Sequence, residues 1–163
     1  MRKGREIIGL PVIDLATGKE VGIVVDLVCD PQTHRLTHLL LEGSGVKPKQ
    51  KVVSFQEVAA VGDDAVTLNS SKDSDDLPPE NGVKVKEKAG FLVITPEGKN
   101  LGTFEDVVVE VPGGRLLGYE ISAGIVDDLI SGRSVIEPLH VLNWGEEAVI
   151  VNSGGESYAV SDL

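Results

Sequence analysis

Apolar residues along this chain come in runs of four to eight, most of them rich in valine, separated by Gly, Pro, Asn and Asp. Runs of this kind, bounded by turn residues, read as β-strands; a helix would show apolar positions recurring every three or four residues. The pattern predicts strands over 7–14, 20–30, 35–42, 51–54 and 64–69, then over 90–94, 100–111, 115–122, 134–137 and 147–152. Thr17-Gly18 and Pro31-Gln32-Thr33 supply the first turns. Ser54-Phe55-Gln56-Glu57 predicts a short helical turn, with Ser54 as cap and Glu57 three residues on. Glu137-Pro138-Leu139-His140 stands at the same place in the second set.

The two sets of strands repeat each other. Gly18, Gly22 and Asp26 return eighty residues later as Gly98, Gly102 and Asp106, and Arg35-Leu36 returns as Arg115-Leu116. After an insertion of three residues, Val52 and Gly62-Asp63-Asp64-Ala65-Val66 answer to Val135 and Gly145-Glu146-Glu147-Ala148-Val149. A repeat of this length implies a small domain used twice. The repeated glycines bracket a turn and the start of a strand, where a positive φ or a close backbone approach is expected. The expected division is a first unit over 1–72, an acidic, proline-containing linker over 73–83, and a second unit over 84–163. Many short strands within roughly 75 residues favour a small antiparallel barrel, which removes exposed edges. The expected fold is therefore all-β: two tandem small antiparallel β-barrels with short helical turns.

Composition narrows the function. Fifteen basic and 26 acidic side chains give a net charge of −11, which repels phosphate backbones and anionic lipid. General nucleic-acid binding is thus not expected. No apolar run reaches the ~18 residues of a membrane span, and no signal-peptide core follows the basic N-terminus. Cys29, the one cysteine, sits in the apolar run 24–29 and reads as a small buried hydrophobe. These features predict a soluble, cytoplasmic protein.

An opening apolar strand, a turn ending in Gly18-Lys19 or Gly98-Lys99-Asn100-Leu101-Gly102, and then Gly-x-x-x-Asp within an apolar strand form an ordered series. The series continues with the hairpin before Arg-Leu and closes on Val52…Gly62-Asp63-Asp64-Ala65-Val66. In both copies, about 7–69 and 88–152, it resembles the PRC-barrel family. That resemblance implies a barrel used for docking, without a catalytic site or cofactor. The family includes the cytoplasmic part of the photosynthetic reaction-centre H subunit and the C-terminal domain of a ribosome small-subunit maturation factor. This chain lacks the transmembrane helix of the first and the partner domain of the second, so neither function carries over intact. The implied role is a non-catalytic interaction or assembly module, its partner another protein or a second copy. The alternative is an accessory docking on the cytoplasmic face of a membrane photosynthetic or electron-transfer complex.

A search for chemistry gives few candidates. His34 and His38 flank a turn and a strand; four residues along a strand separate them by ~13 Å at ~3.3 Å per residue, too far for one metal ion. His140 stands alone and reads as a surface or capping residue. Asp73–Asp76 lacks the spacing of a calcium loop, and Gly43-Ser44-Gly45-Val46-Lys47 lacks the Gly-Lys-Ser/Thr end of a phosphate loop. Asp26 and Asp106 recur inside apolar strands with no partner acid or base; a structural role is expected, accepting backbone N–H groups or pairing with Arg35 and Arg115.

The two copies differ most at the insertion. The first has a basic loop with Lys47, Lys49 and Lys51, a possible docking point for an acidic partner. The second has Ala123–Arg133, in which Ile125, Val126, Leu129 and Ile130 fall on one face of a helical turn. Such a segment either caps its own barrel or the other copy, or forms a partner or self-association patch.

Overall fold

Valine and isoleucine stiffen the backbone toward extended conformations and pack well on a pleated surface. The computed structural model describes residues 1–71, 75–124, 133–152 and the backbone of 158–159. The first half of the chain holds β1 (Arg2–Lys3), the one-turn helix α1 (Gly4–Ile7), β2 (Pro11–Asp14), β3 (Glu20–Asp30), β4 (Arg35–Glu42), β5 (Gln50–Ser54), a 3₁₀ turn (Phe55–Glu57), β6 (Val58–Val61) and β7 (Val66–Leu68). The second half holds β8 (Val83–Lys84), α2 (Val85–Lys88), β9 (Leu92–Ile94), β10 (Asn100–Val109), β11 (Leu116–Ser122), β12 (Ser134–Ile136), a 3₁₀ turn (Pro138–His140), β13 (Val141–Trp144), β14 (Ala148–Val151) and β15 (Tyr158–Ala159). The order of elements from β1 to β7 thus returns from β8 to β14.

Two sheets result, with matching strand orders: β6-β7-β2-β3-β4-β5 in the first, and β13-β14-β9-β10-β11-β12-β15 in the second. They are not purely antiparallel. β2 runs parallel to β7, and β9 parallel to β14, because each half folds its last hairpin back beside its opening strand. Neither path is closed by a hydrogen-bonded pair among the described residues. β6 and β13 also differ from expectation: their short runs, lacking a clean alternation, were not legible as strands. The 3₁₀ turn begins as expected on Ser54, whose Oγ accepts from the Gln56 amide at 3.3 Å; Glu57 takes no part in the cap.

The repeated glycines have two uses. Gly18 and Gly98 turn at φ +69° and +89°. Gly22 and Gly102, at φ +154° and +124°, also lie against the neighbouring strand, where a Cβ would meet Glu42 O at 2.9 Å or clash with Ser122 O. The central hairpins share their irregularities. β3 has an extra residue between Val24 and Asp26, and β4 has one, Thr37, opposite Val28 and Cys29; β10 has an extra residue between Phe104 and Asp106, and β11 has one, Leu117, opposite Val108 and Val109. The first bulge of each pair turns the aspartate to the outer face of its sheet.

Each half begins by crossing to the other. β1 pairs with β10 (Arg2 with Val109, Lys3 with Val108), while β8 pairs with β3 (Lys84 with Val28, Val83 with Cys29). A third junction joins the Arg-Leu turns: the Leu36 amide donates to Gly114 O at 2.7 Å and the Leu116 amide to His34 O at 2.9 Å, around an antiparallel bridge between Arg35 and Arg115. The buried side chains of both halves form one hydrophobic cluster. Its second-half part is aromatic, with Phe104, Tyr119 and Trp144 in mutual edge-to-face contact at 4.9–6.0 Å.

Candidate functional site

Asp26 and Asp106 stand where the halves cross. α2 lies on the outer face of β3 with its first amides toward Asp26: the Lys86 N–H donates to Oδ1 at 2.8 Å and the Glu87 N–H to Oδ2 at 3.3 Å. The Leu27 amide adds a third bond at 2.7 Å. Asp106 does the same for the opposite helix, accepting from Arg5 N at 2.9 Å and Val107 N at 2.8 Å. A carboxylate at a helix start satisfies amides that have no partner within the helix. Each aspartate therefore fastens the other half's opening turn. Arg35 and Arg115 do not reach them: Arg35 Nη2 donates to Gly113 O at 2.8 Å, and Arg115 Nη2 to Glu110 Oε2 at 3.1 Å.

Beside Asp106 the second half carries a charge cluster with no equivalent in the first. Glu120, directly across from Asp106 on β11, is fully buried. Its Oε1 accepts from Arg5 Nη1 at 2.8 Å and Arg133 Nη1 at 2.7 Å, and Lys3 Nζ lies 3.0 Å from Oε2. Burial pushes this carboxyl up, but the bonds from Arg133, Arg5 and Lys3 prevail and hold it at about 2. Burial raises Asp106 above its ordinary value, against the lowering effect of the Arg5 and Val107 amides. In the first half, the residue across from Asp26 is Leu40. Glu120, Lys3, Arg5 and Arg133 were not singled out from the sequence. The available signal was one acid in the apolar strand 116–122, together with Lys3-Gly4-Arg5-Glu6 returning as Lys84-Val85-Lys86-Glu87.

The remaining candidates are apart from this cluster. His34, at φ 55°, sits in the β3–β4 turn with its carbonyl on the Leu116 amide. His38 is buried on β4, its Nε2 3.0 Å from Asp76 O; Ser54 Oγ donates to Asp76 Oδ2 at 2.7 Å. The end of the linker is thereby tied to β4 and β5. The aspartate lies between serine and histidine, so Ser54 has no imidazole positioned to take its proton. A groove of about 490 Å³ runs past His38, Ser54, Arg35 and Pro112. His140 is half-buried, its Nε2 4.0 Å from Glu137. Cys29 is buried and its thiol pushed up, first by burial, which leaves it a poor nucleophile. Ile125, Val126, Leu129 and Ile130 lie outside the described residues. Among the described residues, no helix is long and apolar enough to cross a membrane.

The arrangement ties one half of the chain to the other. The chain is similar to the uncharacterized protein YrrD of Bacillus subtilis (strain 168), 23% identical over 137 residues that span 84% of this chain and 79% of that protein. The family model of the PRC-barrel domain matches residues 1–75. Residues 1–75 of this chain, β1 to β7, thus match the PRC-barrel domain family.

Proposed function

We propose that this chain is a non-catalytic protein-interaction or assembly module, built from two PRC-barrel domains and working in the cytoplasm. In this reading each sheet is one barrel, and the second half is a PRC-barrel domain as the first is. The match in strand order, bulges and capping aspartates between the halves supports the second assignment. The observation that carries the functional reading is the use made of the carboxylates buried in the strands of the two long hairpins. Asp26, Asp106 and Glu120 all bind backbone amides or cations of the crossing segments, which supports a structural use for them, although Asp106 also lines an open groove with Arg5, Val85 and Lys86. A rigid two-domain surface is what a docking module requires, since binding then costs little ordering entropy.

Affinity capture of the tagged chain from a lysate of its own cells, with membranes solubilised, tests the proposal. The expected result is a specific, stoichiometric protein partner or self-association. A membrane-complex subunit as the partner would place the module at a membrane face. A chain that captures nothing, remains monomeric and turns over a small molecule overturns the proposal.

A further inference from the structure

On the outer face of the first sheet, Ile23 and Val52 are 45% and 46% exposed, and Val25 and Leu40 are half-buried. Leu40 lies across from Val52 on β5 and from Asp26 on β3, and Ile23 across from Glu42, so the aliphatic side chains spread over one face of three strands with Glu42 among them. The matching positions of the second half hold Thr103, Glu105, Glu120 and Val135. There Thr103 Oγ1 donates to Glu105 at 3.1 Å, Glu120 is bound by Arg5 and Arg133, and Val135 is buried. Two halves that share strand order, bulges and capping aspartates thus differ on one face, and the first leaves aliphatic side chains in solvent.

The β4–β5 connection continues from that face, since Glu42 and Gln50 pair at its base. Lys47 and Lys49 on it are exposed, as is Val46. Lys86 is exposed at the α2 end, and Lys84 pairs with Glu87 at 3.8 Å. Glu20 and Glu42 are the acids near the loop end. Cations beside exposed aliphatic groups, on a chain of net charge −11, select a segment that carries carboxylates among aliphatic residues. The chain contains such a segment at the connection matching the lysine loop: Ile125-Val126-Asp127-Asp128-Leu129-Ile130.

We propose that the Ile23–Val25–Leu40–Val52 face, with Lys47 and Lys49, is a self-association surface that takes the 125–130 segment of a second copy. This rests on the reading of the chain as an interaction module and names its partner. The contact is head to tail, each copy offering a face at one site and a segment at another. Association therefore continues past the dimer unless the rotation closes a ring.

Sedimentation velocity of the full chain over a concentration series, at low and high salt, tests it. Association is expected to grow with concentration and to weaken in salt. Val52→Glu, at an exposed position that leaves folding intact, should weaken it about tenfold or more. Lys47→Glu/Lys49→Glu and Asp127→Lys/Asp128→Lys should each weaken it, and a chain carrying both reversals should recover it. A photo-reactive side chain at position 52 should crosslink between chains to residues within 125–130, a readout that does not depend on the aspartate variants folding. A monomer at every concentration, association indifferent to Val52→Glu, a double reversal no better than either single one, or crosslinks confined to other regions overturns the inference. A monomeric chain that captures a different protein overturns it too, and leaves the interaction proposal standing.

Discussion

The outer faces of the two sheets solve one problem with different chemistry. Both must hold a one-turn helix that arrives from the other half, and both do so with an aspartate turned outward by a bulge. Across from it the first half places Leu40, and the second places Glu120 under Lys3, Arg5 and Arg133. The helix start is held by amide–carboxylate bonds in either case, so those bonds are the common device. The ion cluster is an addition that fastens β1 and α1, through Lys3 and Arg5, to β11 of the second half.

The strongest way to break this comparison is to strip the cations from Glu120. Arg5→Ala/Arg133→Ala leaves a buried carboxylate with Lys3 alone, and should cost about 3–5 kcal/mol of unfolding free energy in denaturant titration. Adding Glu120→Leu, the residue of the first half, should return most of that loss, since a buried ionic group replaced by an apolar one is often neutral. If the triple variant is as unstable as the double, the cations themselves, apart from Glu120, hold the segment.

Acid should separate the halves next. Glu120 is depressed from 4.5 to about 2 in the folded chain, so its contribution is full above the unfolded value and disappears as pH falls toward 2. On the order of 3 kcal/mol is lost over that window. Asp106 is raised, so its effect has the opposite sign: it favours folding most when protonated, and that gain fades as pH rises through its folded value. Glu120→Gln should flatten the acid limb of a stability–pH curve, and Asp106→Asn should steepen it.

The smallest effects compare the two caps directly. Asp26→Ala leaves three amides without their acceptor (Leu27, Lys86 and Glu87), and Asp106→Ala leaves two, Arg5 and Val107. Each should cost about 1–3 kcal/mol, Asp26 the more, by thermal and denaturant unfolding.

Much of this architecture was legible because the repeat marks the places where backbone geometry is special. The expected strands 20–30 and 35–42 coincide with β3 and β4, and Gly22 and Gly102 do lie against a neighbouring strand. The direction of pairing was not legible: nothing in Val66-Thr67-Leu68 says that it runs parallel to β2. Nor was the crossing. Residues 7–14 read as one strand, whereas Ile7 ends α1, Gly9 turns at φ 96° and β2 begins at Pro11. Asp26 and Asp106 were visible as polar positions that needed donors. Their donors lie 60 and 101 residues away in sequence, beyond the reach of any local pattern. Glu120 was hidden for the same reason, its partner Arg5 being 115 residues distant.

The measurement that tests the interlock most directly is amide hydrogen exchange on Asp26→Ala under conditions where the variant remains folded. The account predicts lost protection at Lys86 and Glu87, in the other half of the chain, along with Leu27, and no change at Arg5. Unchanged exchange at Lys86 and Glu87, with effects confined to β3 and β4, would contradict it.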